Sequence, residues 1–300
     1  MSNPFYIELS ENIAMDAYGC NLDNTFLIFE TKSKIFYLIY SSIKKSIIAF
    51  NLNNMQIDCK INNAHKDYID NFRHSYDIKH KRDIILSLSS GNNNIKIWDV
   101  NNWNCLYNIN NIYKVGILLS ACFLINENMN YIITCNCFIF NIIVIDFEGK
   151  KIKEFNNSYN YTLFIDTYFD IKQNKYYVIT GNRNNVKSYD YNTNKLYYSY
   201  DDGSSTNHRS VLINNVDEVV RIIFPCEEGF IKIFSFHTGI LLNKINLNNE
   251  PLTGICFWNK DFLFGSSKNK TVNLIIIKFG ECLITQGLDN KIKLWIIKKV

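Results

Sequence analysis

The feature that most constrains this chain is a short strand pattern that recurs at nearly constant spacing. Each copy has a polar turn, then alternating apolar residues, then often Asp or Asn and another turn, which is typical of a half-buried β-strand. Successive copies lie 48, 47, 44, 45, 41 and finally 20 residues apart. The copies are SIIAFNL (46–52), NIKIWDV (94–100), NIIVIDF (141–147), NVKSYDY (185–191), FIKIFSF (230–236), TVNLIII (271–277) and KIKLWII (291–297).

Each long interval also repeats the order of the segments between two copies. After residue 100 come CLYNINNI (105–112), ILLSACFLI (117–125) and YIITCNCF (131–138), each bounded by Asn-rich turns, and then the next copy. Four strands per repeat at this spacing predict a β-propeller, because one such sheet cannot bury both of its faces alone. No helical periodicity interrupts the pattern. We therefore predict an all-β chain that forms a single domain over residues 1–300.

Two segments resemble the WD40-repeat family, namely NNNIKIWDVNNWNCLYNI (92–109) and GECLITQGLDNKIKLW (280–295). The resemblance implies a hydrogen-bonded tetrad of a His before the first strand, an Asp in a turn, a Ser or Thr on the second strand and the Trp. The residues that match are His65, Ser87 or Ser89, Trp98 and the following Asp99 in one repeat, and Thr285 with Trp295 in the last. Elsewhere the Trp position holds Tyr189, Phe234 or an aliphatic residue, so the match is motif-specific in two repeats only.

The short final spacing indicates an incomplete junction between the sixth and seventh repeats. Around 277–281 the chain lacks an outer fourth strand and the next inner strand. Either the ring has six blades and a spare hairpin, or a seven-blade pattern has lost a segment; we favour the second, because Thr285 and Trp295 keep good repeat chemistry. The segment PFYIEL (4–9) is a strand without a neighbour. We expect it to pair with the last repeat and close the ring, which removes an exposed sheet edge.

Composition and charge exclude several classes of protein. Hydrophobic residues make up 47% of the 300, which is ample for a core, and the net charge of +4 comes from scattered Lys and Arg, so we expect no nucleic-acid partner. The nine Cys are unpaired in spacing and several lie in apolar segments, which favours a reducing compartment, the cytoplasm with the nucleus as the alternative. Apolar runs are short, so neither a signal peptide nor membrane insertion is expected.

No arrangement of residues points to catalysis. Cys135 and Cys137 lie on one face of a strand, and no second pair follows at zinc spacing, so core thiols are the better interpretation. Phosphate-loop, dinucleotide and nucleophile-elbow motifs do not occur. We expect a non-enzymatic protein with no metal and no cofactor. The phosphoinositide-binding motif of some propellers needs two adjacent Arg, and NFRHS (71–75) supplies one, which makes lipid binding the weaker alternative.

The function predicted is a non-catalytic scaffold that presents loops to other proteins within a multiprotein complex. The resemblance implies a docking face made by the loops into each first strand and between the second and third strands. On this chain that face holds Tyr68, Asn93, Tyr161, Arg183, His208 and Arg209. Trp103 lies in a turn on the opposite face and is either packed on a neighbouring loop or a docking point. An alternative is a reader of a peptide or modified tail in the central channel, which an acidic or aromatic ring there would favour.

Overall fold

The chain is all-β in a computed structural model, and no α-helix occurs in the part described here. Antiparallel sheets follow one another along the sequence, and five of them have four strands. The description covers residues 6–8, 26–41, 45–54, 56–113, 116–136, 141–156, 162–182, 185–201, 211–216, 219–226, 230–246, 252–257, 262–267, 272–276, 282–286 and 292–297.

The five four-stranded sheets account for most of the strands, and a 3-10 turn (Ser90–Asn92) lies in the second sheet. The first sheet is β2 (Phe26–Glu30), β3 (Phe36–Ser41), β4 (Ile47–Asn51) and β5 (Gln56–Ile61). The second is β6 (Asn71–Asp77), β7 (Arg82–Ser89), β8 (Asn94–Asp99) and β9 (Cys105–Asn110). The third is β10 (Leu118–Ile125), β11 (Asn130–Asn136), β12 (Asn141–Asp146) and β13 (Lys151–Asn156). The fourth is β14 (Phe164–Asp170), β15 (Lys175–Gly181), β16 (Val186–Asp190) and β17 (Leu196–Tyr200). The fifth is β18 (Leu212–Val216), β19 (Val219–Pro225), β20 (Phe230–Ser235) and β21 (Leu241–Asn246).

The two remaining sheets each have three strands among the described residues. One is β22 (Leu252–Phe257), β23 (Phe262–Ser267) and β24 (Val272–Ile276), and the other has the order β1 (Tyr6–Glu8), β26 (Ile292–Ile297), β25 (Cys282–Gln286). The prediction that the N-terminal strand pairs with the last repeat is confirmed, since β1 runs antiparallel to β26 with Glu8 opposite Trp295. The predicted irregular junction around 277–281 lies outside the described residues, between β24 and β25.

All seven recurring segments are strands, and those of four of the five four-stranded sheets share one irregularity. In four of the sheets the third strand has a register shift against the fourth at the position where NIKIWDV has its Trp. The shifts occur at Ala49/Phe50, Ile97/Trp98, Val144/Ile145 and Ile233/Phe234. A bulge at this point bends the strand and strengthens its twist. The repetition in the sequence is therefore a repetition of backbone geometry as well.

The turn after the third strand is also conserved in geometry between sheets. The fourth residue after the strand end, or the third in the third sheet, has positive φ, and its backbone N–H donates back to the carbonyl oxygen of the residue that ends the strand. The residues in this left-handed position are Trp103 (φ 59°), Gly149 (φ 88°), Asn194 (φ 60°) and Gly239 (φ 67°). Asp99 helps to hold its turn, since its Oδ1 accepts from Asn101 N at 2.8 Å. Asp at this place is thus a turn-capping residue.

The chain contacts divide the fold into two compact units. The larger unit comprises Tyr18–Asn182 and Val186–Tyr197. Within it the first strands of successive sheets contact each other, β2 with β6, β6 with β10 and β10 with β14. Three clusters of buried apolar residues fill the spaces between successive sheets, for example Ile39, Phe72 and Trp98 between the first and second. Each sheet therefore buries its faces against its neighbours, as the repeat pattern requires.

The smaller unit comprises Met1–Ala17, Arg183–Asn185 and Tyr198–Val300. Its core is aromatic: Phe224 stacks on Phe234 with centroids 5.3 Å apart, and Tyr200 stacks on Phe236. The Tyr200 hydroxyl donates to the Phe236 carbonyl oxygen at 2.7 Å. Contacts of β22 with β18 and β19, and of β24 with β25, connect its sheets.

Candidate interaction site on the 62–70 loop

A buried chain of polar side chains links the loop before β6 to the middle of the second sheet. His65 Nε2 lies 2.6 Å from Ser87 Oγ, and Trp98 Nε1 donates to the same oxygen at 2.8 Å. All three residues are at most 4% exposed. Three of the tetrad positions implied by the WD40 resemblance are therefore hydrogen-bonded here, and the hydroxyl is that of Ser87.

The His65 ring is neutral at physiological pH. Burial lowers its pKa to about 3, the positive charge of Lys96 adds to this effect, and the nearby Asn94 amide opposes it. Ser87 accepts from Trp98 and meets no other acceptor in the described part of the chain, so we assign its hydroxyl hydrogen to His65 Nε2. The ring proton is then on Nδ1, which is buried and has no hydrogen-bond partner among the described residues.

Further contacts fix the 62–70 loop on the β7–β8 hairpin. Asp70 Oδ2 accepts from Ser90 N at 2.7 Å, and its own N–H donates to Leu88 O. Lys96 Nζ donates to Ala64 O at 2.6 Å. Gly91 is needed for this approach, because a Cβ there would lie 2.1 Å from Asp67 Oδ2. The loop is thus held at several points along its length and is pre-organised.

The outer side of this loop borders an open recess of about 530 Å³. Its described lining consists of Lys45, Asn63, His65 and Lys66. Lys45 lies in the β3–β4 turn with φ 59°, where its Nζ donates to Lys66 O at 2.6 Å. The same Nζ is 3.8 Å from Asp67 Oδ1 and 5.6 Å from the centre of the Tyr68 ring. The described lining therefore holds two ammonium groups and one neutral imidazole, while the Asp67 carboxylate and the exposed Tyr68 ring lie beside Lys45.

Of the residues predicted to bind partners, Tyr68 and Asn93 lie near this loop. Tyr68 is 39% exposed at the edge of the recess. The Asn93 amide is engaged inside the chain, because its Nδ2 donates to Gly116 O and its Oδ1 accepts from Leu118 N, both at 2.8 Å. Asn93 therefore ties its turn to β10.

Trp103 is packed rather than free. Its ring meets Tyr37 edge to face at 5.4 Å between centroids, and it covers the buried cluster between the first two sheets. The residue it contacts lies in strand β3 and not in a neighbouring loop. Trp103 also has the left-handed backbone that Gly149 and Gly239 adopt in the equivalent turns.

The other predicted site residues are described incompletely or not at all. Tyr161, Arg183, His208 and Arg209 lie outside the described residues. For Thr285 and Trp295 the backbone register is known: Thr285 pairs with Lys293, two residues before Trp295, just as Ser87 pairs with Lys96, two residues before Trp98. The strands thus place them at equivalent positions, as the motif requires.

A second polar group lies on the first strands of the larger unit. Arg73 in β6 stacks over the Phe164 ring at 5.3 Å, and its Nη1 donates to Asn71 Oδ1 and Phe72 O. Its Nε is buried and has no partner among the described residues. Burial raises the pKa of Asp166 in β14, which the charge of Arg73 opposes. The single Arg of NFRHS, Arg73, is therefore engaged in contacts within the strands.

The remaining chemistry of the described residues is sparse. Within them no group of three or more His, Cys, Asp and Glu could hold a metal ion. Cys135 is buried in the third sheet, and Cys137 lies outside the described residues. No helix in the described ranges has the length and apolar character to cross a bilayer.

Sequence reasoning found the loop but missed the recess. Lys45 and Lys66 are separated by two strands, β4 and β5, and single lysines in turns carry no signal of their own. The contact between them depends on the left-handed conformation of Lys45 and on how the 62–70 loop crosses the β3–β4 turn. The resemblance to WD40 repeats pointed to this region through His65 and Tyr68.

Comparison with known proteins supports the architecture and nothing finer. No protein-family model matches the chain, and no curated protein sequence matches it either. Among solved structures, the crystal structure of the computationally designed Ika8 protein is similar, with a TM-score of 0.64 over 96% of this chain and 100% of that one. The sequence identity is 12%, so the similarity concerns the fold alone.

Proposed function

We propose that the chain is a WD40-type β-propeller that acts as a non-catalytic scaffold and presents its loops to other proteins in a multiprotein complex. The observation that carries this proposal is the buried His65–Ser87–Trp98 chain at the base of a loop whose outer residues are charged and aromatic. A loop held in this way loses little conformational entropy when a partner binds. Tyr and Lys then offer contact area and charge without any reactive arrangement around them.

The proposed ring has a seven-blade pattern with an incomplete sixth/seventh junction. Support comes from the shared bulge and turn geometry of successive sheets and from the pairing of β1 with β26. Residues 1–300 would then form one domain, in the cytoplasm or the nucleus.

The test is native purification of the tagged full-length protein followed by quantitative mass spectrometry, with the tag alone as control. We expect a small set of proteins recovered in near-stoichiometric amounts. Recovery of the protein alone would overturn the scaffold proposal. A peptide that spans residues 271–291 with a missed cleavage at Lys278 would identify the short junction as genuine, whereas about twenty extra residues there would identify a complete seventh blade.

A second candidate is a reader of peptides on the first strands of the sheets, where a central channel would lie. The observation that favours it is the buried, incompletely paired Arg73 Nε near the carboxylate of Asp166. This candidate gains support if purification yields no protein partner and a peptide array does yield a ligand. Lipid binding has no such observation, since the one Arg of NFRHS stacks on Phe164; liposome co-sedimentation would reveal it.

A further inference from the structure

We propose that the recess bordered by Lys45, Asn63, His65 and Lys66 binds a carboxylate from an acidic segment of a protein partner. The inference rests on the scaffold function proposed above and names the chemistry of one partner. It starts from the lining, which brings two ammonium groups to one open cavity beside an exposed Tyr68.

The two lysines are not equivalent. Lys45 is already used within the protein, because its Nζ donates to Lys66 O and faces Asp67 Oδ1 at 3.8 Å. Lys66 is exposed, and its Nζ makes no hydrogen bond or ion pair with any described residue. The cation available to a ligand is therefore Lys66, and Lys45 adds a positive field that Asp67 partly offsets.

The net charge of the recess indicates which anion fits. Among the described residues, with His65 neutral, the lining lysines Lys45 and Lys66 and the Asp67 carboxylate beside Lys45 sum to a single positive charge. One carboxylate neutralises this charge, whereas a phosphate dianion leaves a negative charge beside Asp67. Tyr68 at the rim supplies apolar area and a hydroxyl, as aromatic residues do in protein interfaces.

The floor of the recess is rigid. His65 is fixed through Nε2 by Ser87, and both residues are buried. The loop position also does not need to change, because Asp70 and Lys96 already hold it.

The probe is a fluorescein-labelled hexaglutamate peptide, titrated with full-length protein at low salt and followed by anisotropy. We expect Lys66→Gln to weaken binding at least about fivefold, because the free ammonium group that attracts the carboxylate is lost. Lys45→Gln should weaken binding less, because Lys45 is already paired within the protein. The matched control is Lys195→Gln, an exposed lysine elsewhere in the larger unit, which should leave the affinity within about 1.5-fold of wild type.

Three results would overturn the inference. Equal affinity of wild type and Lys66→Gln would do so, as would an equal loss in Lys195→Gln, which indicates unspecific attraction. Displacement of the peptide by inorganic phosphate at lower concentration than by acetate would identify a phosphate site instead. An independent readout is the ¹⁵N signal of Lys66 Nζ, which should shift on addition of hexaglutamate in wild type and remain unchanged on addition of hexaglutamine.

Purification with Lys66→Gln separates this inference from the scaffold proposal. If wild type and variant recover the same partners in the same amounts, the recess inference fails and the scaffold proposal stands. If wild type recovers no partner, the scaffold proposal fails, and the hexaglutamate titration still decides whether the recess binds carboxylates. We expect the variant to lose one partner and to keep its fold, as judged by an unchanged unfolding midpoint.

Discussion

The second and third sheets anchor the loop before their first strand by different chemistry. In the second, His65 reaches the Ser87 hydroxyl, which Trp98 also contacts. In the third, the buried Tyr113 donates to the Thr134 carbonyl oxygen at 2.8 Å, and the position of the Trp holds Ile145. Ser87 and Thr134 are at the same register, opposite the residue two before that position.

The difference teaches what the polar chain contributes. Tyr113 needs one hydrogen bond to a backbone group that is always present, and its ring fills the space between the sheets. His65 needs a specific side chain, leaves Nδ1 without a partner in the described part of the chain, and is sensitive to protonation. The arrangement in the second sheet is therefore more easily destabilised by mutation or protonation, and it is the one next to the recess.

The largest effect is expected from Ser87→Ala. Removal of this hydroxyl leaves Trp98 Nε1 and His65 Nε2 buried without partners, at about 1–3 kcal/mol for each group. We expect a loss of about 3 kcal/mol in the free energy of unfolding, measured by urea denaturation with tryptophan fluorescence. Thr134→Val should cost only about 1 kcal/mol, because a single bond from Thr134 Oγ1 to Ser120 O is lost.

Ser89 provides the matched control for this experiment. It is as buried as Ser87, on the same strand, but its Oγ has no hydrogen-bond partner in the described structure. Ser89→Ala should therefore be neutral or slightly stabilising. A similar loss in both Ser variants would mean that the hydrogen bonds of Ser87 carry no special stabilisation, and the contrast between the two sheets would disappear.

The second effect is a dependence of stability on pH that only the second sheet should confer. The pKa of His65 is about 3 in the folded chain and near 6.5 in the unfolded chain, so protonation favours unfolding. Its contribution is complete above pH 6.5 and is lost as the pH falls toward 3. At pH 5 the loss is about 2 kcal/mol, since each pH unit below 6.5 costs up to about 1.4 kcal/mol.

Unfolding curves between pH 7.5 and 5 measure this effect. His65→Gln should flatten the dependence by the amount given, and Tyr113→Phe should lower stability without changing the slope. His74 contributes a part of the slope in both variants, because burial lowers its pKa as well, against the pull of Asp83. An unchanged slope in His65→Gln would contradict the assignment of a neutral buried imidazole.

The sequence predicted the repeated strands better than it predicted the site. Alternation and spacing identify strands because each sheet buries a face against the next, so every copy of the repeat needs apolar residues at alternate positions. The His65, Ser87 and Trp98 contacts were implied by the resemblance to WD40 repeats, although Ser89 was equally compatible. The recess could not, since it depends on a left-handed Lys45 and on the path of two loops. Neither the engagement of Asn93 nor the Tyr113 anchor left a signal in the pattern.

The smallest effect concerns the turns after the third strands, where Trp103 and Gly149 have the same left-handed backbone. Trp103→Ala keeps the strain and loses the contact with Tyr37, and a double-mutant cycle with Tyr37→Leu should give a coupling of about 1 kcal/mol. Trp103→Gly should be more stable than Trp103→Ala by about 1 kcal/mol. Gly149→Ala should lose about as much, since its Cβ would lie 2.9 Å from Ile109 Cγ2. A coupling near zero would mean that Trp103 is not held by Tyr37. The Trp103 ring would then be available as a second docking point. Purification with Trp103→Ala would test whether a partner contacts it.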